Sequence, residues 1–436
     1  MPTLSWVQRL YRRLIVTSSQ QCPELSENAR RYVADNFVLM LVSRFFSKLA
    51  DALSNPKIVL PWVMETVHAP LYLLGFLVPI RESGSLIPQV VIAGYVRRLT
   101  IRKWVWVVGK LVEVLAMTGV ALVAWLGQGA VAGWSILLLL VVFSLARGFC
   151  SVASKDVTGK TIAKSARGQT NGWSASSAGL VTLVLGGGFV AVGGEELTAA
   201  SVAILLGAAV ILWSLAALAF SRLHEFPGEA ETAEIHPIKE SWQRLALLGR
   251  DRPFRHFVIT RALLLCSALT APYYVILAQK AYGTQPQLLG LFILASGSAS
   301  LVSSPIWGRF SDHSSRRVMM AGAGMTLVLG MVVFFVDRVA PQWLASLWLL
   351  PGCYFLLSIA HQGVRIGRKT YVVNLGKGNQ RTDYVAVSNT LIGVVLLLLG
   401  FSGALTSFVG LSSLILLLSL MGGAGMFMAR RLPDVE

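Results

Sequence analysis

The chain has 436 residues, of which 55% are hydrophobic and 14% charged, with a mean hydropathy of +0.65, and that apolar excess excludes a soluble globule of this size. A formal charge of +17 would point to nucleic acid in a soluble protein, but in a membrane protein charge is read by its position relative to the apolar spans. Four cysteines, Cys22, Cys150, Cys266 and Cys353, are scattered without a C-x-x-C spacing, so they predict neither a disulfide framework nor a metal site.

In chain order, the first segment (1–35) is polar. Its Trp6, Val7, Leu10, Tyr11, Leu14 and Ile15 recur at helical spacing around Arg9, Arg12 and Arg13, which fits either a helix lying on the membrane surface or a solvated extension. Its only apolar run, Leu14-Ile15-Val16, is too short for a signal peptide. A membrane helix needs about 20 mostly apolar residues. On that rule twelve spans follow, at approximately 36–62, 70–93, 104–125, 133–153, 172–192, 199–220, 256–279, 286–307, 318–336, 345–364, 386–406 and 409–429. They fall into two six-helix bundles, 36–220 and 256–429, joined by a polar linker at 221–255 and followed by a short tail, 430–436. The linker carries Glu225, Glu229, Glu231 and Glu234 near Pro227 and Pro237, then an amphipathic run of Trp242, Leu245, Leu247 and Leu248.

An even number of spans puts both termini on one side. That side holds the arginines and lysines of every connecting segment, from Arg9 to Arg431, whereas the opposite side has only Lys280 and Arg338. The positive-inside rule therefore predicts cytoplasmic termini in a plasma membrane, the inner membrane of a bacterium. It also accounts for the basic composition without a nucleic-acid partner.

The halves repeat. Gly94, Arg102 and Lys103 correspond to Gly308, Arg316 and Arg317, 214 positions later, and Lys155/Lys369, Arg167/Arg381, Ser174/Ser388, Gly179/Gly393 and Gly186/Gly400 keep that offset. With small gaps, Ser43-Arg44 matches Thr260-Arg261 and Leu73-Leu74-Gly75 matches Leu288-Leu289-Gly290. The stretch from Gly308 to Arg317 has the form G-x-x-x-D-x-x-x-R-R, with Asp312 as its acid; the first-half copy, Gly94 to Lys103, has Arg98 in the acid's place.

With twelve spans, a central polar loop and this loop signature in corresponding places, the chain resembles a major facilitator superfamily transporter. The resemblance implies an all-α integral membrane protein of twelve transmembrane helices in two bundles related by pseudo-twofold symmetry. It also implies alternating access and a substrate site between the bundles. Because only the second copy keeps the acid, the stronger loop contact is expected in the second half. Gly179, Gly186, Gly187 and Gly188 faintly resemble an antiporter signature that includes a proline absent here; close helix packing is the alternative.

Ionisable residues inside spans default to functional hypotheses. The first half supplies Arg44, Lys48, Asp51, Lys57, Arg81, Glu82, Lys110, Glu113 and Arg147, the second chiefly Arg261 and His361. Lys48/Asp51 and Lys110/Glu113 are three apart, so each pair can neutralise itself on one helix face, or its acid can titrate during transport. Glu82 is the preferred coupling acid, since Arg81 points about 100° away around the helix. Lys57 and Arg147, nearer span ends, read as snorkelling cations. Arg44 and Arg261 are either symmetric structural residues or paired substrate ligands, the structural role favoured. His361 is a proton relay or a satisfied polar residue. Tyr273, Tyr274 and Trp213 line a cavity or pack. The surplus of cations suits an anionic substrate.

Other chemistry is absent by motif. Gly159-Lys160-Thr161 looks like the end of a phosphate-binding loop, but Ser154 stands where its first glycine belongs. His224-Glu225 lacks the second histidine of a zinc protease, and no hydrolytic triad motif occurs. The expectation is therefore a monomeric, proton-coupled secondary transporter of a small anionic solute, with no cofactor or metal and no enzymatic activity, partnered by substrate, protons and the bilayer. The alternatives are a lipid or amphiphile flippase of the same fold and an integral-membrane enzyme on lipid-linked substrates.

Overall fold

The structure, a computed structural model, describes residues 8, 27–192, 197–227, 247–376 and 380–435. The amphipathic N-terminal stretch and the linker's later acids, Glu229, Glu231 and Glu234, lie outside them, as does Cys22. Twelve helical passes are present among the described residues. They are α1 (Val33–Leu53, then Val59–Thr66), α2 (Leu71–Phe76, Leu77–Leu86 and Gln89–Arg97), α3 (Lys103–Leu126), α4 (Gly129–Thr161), α5 (Lys164–Val192) and α6 (Ala199–Ser221). The second half has α7 (Arg252–Leu263, Cys266–Leu269 and Ala271–Tyr282), α8 and α9 within Pro286–Val339, α10 (Leu349–Leu375), α11 (Gln380–Gly400, Phe401–Leu405 and Thr406–Val409) and α12 (Leu411–Arg430).

Among the described residues, eight helices are long and apolar enough to cross a membrane on composition alone, nine if the bent α2 counts as one span, and Pro286–Val339 holds two passes. The two passes that fall short, α1 and α10, carry Arg44, Lys48, Asp51 and Lys57 in one and Arg365, Arg368 and Lys369 in the other. Their charge is tolerable in a bilayer only where protein or a water-filled cavity receives it.

Several passes are discontinuous where the sequence predicts unbroken spans. In α1 the helix stops at Ser54 and resumes at Val59. Proline at position 56 cannot donate to the helical ladder, and Asn55 takes over: its side-chain oxygen accepts from Lys57 N at 2.9 Å while its carbonyl accepts from Val59 N at 2.8 Å. Irregular backbone at this depth is sustainable only inside protein or along a cavity. The stretch predicted as a loop between α8 and α9 is instead helical up to a single break at Ser314 (φ −164°, ψ 97°).

Within the first half α3 packs on α4 and α6, α1 on α5 and α6, and α2 on α4; in the second, α10 and α12 pack on α8 and α9. The halves meet through α2 with α11, α5 with α8 and the second segment of α1 with α7. Trp62, Tyr273, Tyr274, Leu289 and Ile392 belong to one apolar core shared by both halves. Nearer the termini the core divides: Phe37, Trp106 and Phe220 fill one cluster, and Phe254, Phe257 and Tyr371 another. The halves are thus joined on the side away from the termini, here called the far side, and separate on the terminal side.

Two glycine contacts make the far-side joint. A Cβ at Gly75 would lie 2.7 Å from Gly403 Cα, and Phe76 meets Phe401 edge-on at 5.0 Å. A Cβ at Gly290 would lie 2.6 Å from the Gly186 carbonyl oxygen and 2.8 Å from Phe189. Since Gly75 matches Gly290 and Gly186 matches Gly400, the same contact is made twice, once from each half. Here close packing does explain Gly186, while Gly187 and Gly188 would meet nothing within 4 Å. Trp213, Tyr273 and Tyr274 are core residues.

Gly75→Leu is therefore expected to pry the far side open. Overpacking of this kind costs about 1–3 kcal/mol, or about 5- to 150-fold in the ratio of conformers. Spin labels at the exposed Gln128 and Gln342, on far-side turns of opposite halves, should shift to longer distances; an unchanged distribution contradicts the assignment of this contact as the closure.

Candidate functional site

Between the halves, from the middle of the spans toward the terminal side, lies a cavity of about 370 Å³ lined by Lys57, Glu82, Lys155, Arg261, His361, Arg365, Arg368 and Lys369 among others. A second chamber of about 260 Å³ shares Lys57, Glu82, His361 and Arg365 with it. The second chamber reaches Tyr354 on α10 where the first reaches Lys369, and α10 runs from the far side to the terminal side. The second chamber is therefore the deeper one.

Local sequence explains how the charges arrive there. His361, Arg365, Arg368 and Lys369 are spaced by four, three and one on α10, so they form one stripe down a single helix face. Lys57 enters from the broken turn of α1. Its ammonium lies 2.9 Å from His361 Nε2, and His361 Nδ1 lies 3.0 Å from Ser267 Oγ. The lysine has no acceptor capacity, so it donates to Nε2; Nδ1 then carries the ring hydrogen and donates to the serine. This contact joins the halves across the cavity. The reading of Lys57 as a snorkelling cation is thus corrected, and His361 sits mid-helix.

Arg261 is buried and donates to Ser388 Oγ (2.6 Å) and Asn389 Oδ1 (2.8 Å), both neutral, and its charged neighbour is Arg368. Lys369 has Arg365, Arg368, Lys155 and Arg261 as charged neighbours, all cations. Glu82 is exposed to the cavity and is the one acid among the described residues lining it, against six lysines and arginines. Arg81 turns away from the cavity, its guanidinium 4.1 Å from the Phe143 ring centre.

Asp51, Arg81, Arg147, Lys110 and Glu113 form structural pairs outside the cavity. Arg147 grips both oxygens of Asp51 at 2.6 and 2.7 Å, and Arg81 reaches Oδ1 at 3.3 Å. The bonds holding Asp51 therefore come from α4 and α2, which corrects both the Lys48/Asp51 pairing and the snorkelling of Arg147. Lys110 and Glu113 pair at 2.7 Å as their spacing predicts, buried beside Trp106 and Trp213. Arg44 donates to Thr158 on α4 at 2.6 Å, and its repeat partner Arg261 reaches Ser388 and Asn389 on α11.

The two loop signatures differ in a way that reverses the expected emphasis. In the first half, the buried Glu225 carboxylate accepts from the backbone N–H groups of Arg102 (2.9 Å) and Lys103 (2.7 Å) and pairs with Lys160 (3.1 Å). Arg102 also pairs with Asp156 at 3.2 Å, and Arg98 is exposed. In the second half, Gly308 meets nothing within 4 Å, Arg317 is exposed, and Asp312 is exposed without a hydrogen bond or ion pair among the described residues. Only Arg316 is engaged, by the Leu432 carbonyl (2.9 Å) and Asp434 (3.3 Å). In each half the segment leaving the sixth helix thus folds back over the signature, burying Leu223 in one and Leu432 in the other. Gly94 lies in the last segment of α2, and Lys160 of the apparent phosphate-loop motif belongs to the Glu225 cluster.

Sequence reasoning missed Lys155, Arg365, Arg368 and Lys369 as cavity residues, because it assigned them to the basic loops. The four-three-one spacing that follows His361 was the available signal.

Residues 259–436 match the family model described as Major Facilitator Superfamily. Among solved structures, the chain is similar to a variant of the nucleoside transporter NupG (12% identity, 91% of this chain and 99% of that one, TM-score 0.67). It is also similar to a D-xylose–proton symporter (15%, 92% and 98%, TM-score 0.66) and to a POT family transporter in complex with 5-aminolevulinic acid (8%, 91% and 95%, TM-score 0.67). No curated protein sequence matches it.

The Arg147 and Asp51 side chains are 32% and 29% exposed, so removing one partner leaves the other charge without compensation at a cost below the about 3–5 kcal/mol of a fully buried pair. Asp51→Asn and Arg147→Gln are each expected to lower the melting temperature of the detergent-purified protein, and the double variant to fall no further than the worse single. Additive losses in that cycle contradict the pairing as the source of the effect.

Proposed function

We propose that the chain is a secondary transporter of the Major Facilitator Superfamily, whose family model matches its residues 259–436, and that it carries a small anionic solute together with protons. The observation that carries the reading is the cavity's charge: six cationic side chains face one carboxylate. At an effective dielectric of about 20, two like charges 4 Å apart repel by about 4 kcal/mol. The wall is therefore least costly when hydrated or when an anion sits within it. Arginine forks suit carboxylate or phosphate.

The charge distribution also supports a mechanism. Lys57 and Lys155 come from the first half, and Arg261, Arg365, Arg368 and Lys369 from the second. Closing the terminal side over an empty cavity drives these sets together; closing it over an anion lets both sets bind the same ligand, which favours the closed state by differential affinity. Glu82 is the coupling acid of the proposal, because Asp51 and Glu113 are already held by cations. Protonating Glu82 removes the cavity's own counter-charge and strengthens the anion's attraction, so proton and substrate bind with positive, reciprocal coupling. We place both termini, and the open side of the cavity, in the cytoplasm on the positive-inside rule. The crowd of charged side chains supports a small polar solute over a lipid.

Replacing one cation that contacts the anion should remove about 1.5–3 kcal/mol, roughly 10- to 100-fold in affinity. Arg368→Ala and Lys369→Ala are expected to show that loss in thermal-shift titrations with a panel of carboxylates and phosphates. If neutral solutes alone stabilise the wild type, the anionic reading fails.

The coupling has a definite sign. Wild-type affinity for the anion should rise as pH falls, whereas Glu82→Gln, which mimics the protonated acid, should bind about 10-fold more tightly than wild type at alkaline pH with a flatter profile. His361→Gln measured in parallel separates the histidine's contribution. Uptake into proteoliposomes that ignores an imposed pH gradient, together with a Glu82→Gln variant indistinguishable from wild type, would end the proton-coupled reading.

A further inference from the structure

The deeper chamber differs in chemistry from the cationic one. Beyond Lys57, His361, Glu82 and Arg365, which it shares with the cationic cavity, its wall is built from neutral hydrogen-bonding groups, chief among them Asn55, Ser296, Ser300, Tyr354, Ser358 and Gln362. Span serines and threonines elsewhere commonly bond their own helix: Thr270 donates to Cys266 O at 2.9 Å, Ser304 to Ser300 O at 2.6 Å and Ser298 to Leu294 O at 2.6 Å. Ser296 and Ser358 do not; among the described residues neither makes a hydrogen bond, and both face the chamber. Gln362 donates to Ser300 Oγ at 2.8 Å, but its own side-chain oxygen is buried without a partner. Polar groups left open in a membrane span are costly unless water or a ligand meets them.

We infer that the substrate carries two negative charges, at least one of them held among Arg261, Arg365, Arg368 and Lys369, and a hydroxyl-bearing body that reaches the serines and Gln362 of the deeper chamber. The inference rests on the anionic reading of the same cavity and adds the body's chemistry to it. Two charges suit the site better than one, because among the described residues six lysines and arginines line the cavity against one carboxylate, and the charged neighbours of Lys369 and Arg261 are cations. The body must both donate and accept, since a serine hydroxyl does both and the open Gln362 oxygen only accepts. Sugar or polyol phosphates and hydroxylated dicarboxylates share this chemistry. A site that bonds substrate hydroxyls discriminates strongly against an analogue lacking them, because its own polar groups then stay unpaired.

The test is calorimetric titration of the purified full chain with five probes: a hexose monophosphate, a tetrahydroxylated six-carbon dicarboxylate, the same dicarboxylate without hydroxyls, inorganic phosphate and free hexose. A hydroxylated dianion should bind at least about 10-fold more tightly than the hydroxyl-free dicarboxylate and inorganic phosphate, and which of the two hydroxylated probes does so identifies the anionic group. The double variant Ser296→Ala/Ser358→Ala should erase most of that preference while leaving inorganic phosphate binding unchanged, a readout that a misfolded variant cannot give. Equal affinity for hydroxylated and hydroxyl-free dianions overturns this inference and leaves the anionic reading standing. Binding of hexose with no dianion bound, or no binding by any probe, overturns both.

Discussion

The rest of the structure depends on the paired glycine contacts, Gly75 against Gly400 and Gly403, and Gly290 against Gly186. Glycine is required there by contact: a side chain would strike the backbone of the opposing helix, and helices in a bilayer associate through such close approach because lipid supplies no hydrophobic drive between them. Since the two contacts are repeat equivalents, closing one is geometrically tied to closing the other. They bring the far-side halves of the bundles into one continuous core and leave the terminal-side halves as two separate ones. The cavity is the space left by that geometry.

Once the cavity exists, desolvation sorts the charges. In the first half the buried ionisable groups find opposite partners within the bundle: Asp51 holds Arg147 and Arg81, and Glu113 holds Lys110. Among the described residues of the second half Arg261 finds neutral acceptors, and Glu82 is the one acid lining the cavity beside Arg365, Arg368 and Lys369. A buried cation without a carboxylate is expensive, and the structure tolerates it here because these side chains border open space. The asymmetry of charge, more than the symmetric fold, distinguishes the cavity.

Much of the architecture was legible in the sequence. Apolar runs placed the twelve spans, and polar residues recurring at one offset exposed the duplication, since such residues do not match by chance. The site was legible only in part. Pairing rules for residues three apart found Lys110 and Glu113 but misassigned Asp51, because a side chain's best partner can sit on another helix and no local spacing encodes that. Lys57 was misread for a different reason: a span assumed continuous through Asn55-Pro56 puts that lysine near an end, whereas the proline breaks the helix and delivers it to the centre. Arg365, Arg368 and Lys369 were counted as loop charges because topology rules treat any basic residue near a span end as facing water on one side.

The repeat explains why the second half became the cationic one. Arg147 and His361 are equivalent positions, 214 apart, as are Ser151 and Arg365, and Lys155 and Lys369; all six lie on the fourth helix of their half, facing inward. In α4 the first of these positions is occupied structurally, gripping Asp51. The position on α7 that matches Asp51, by the Arg44/Arg261 alignment, is Ala268, so the corresponding helix face of α10 has no acid to hold. His361 turns instead to Lys57 across the cavity, and the cations one and two turns further along α10 keep their charge available. One duplicated helix face therefore does two jobs: in the first half it ties the bundle together, and in the second it presents uncompensated charge to whatever enters between the halves.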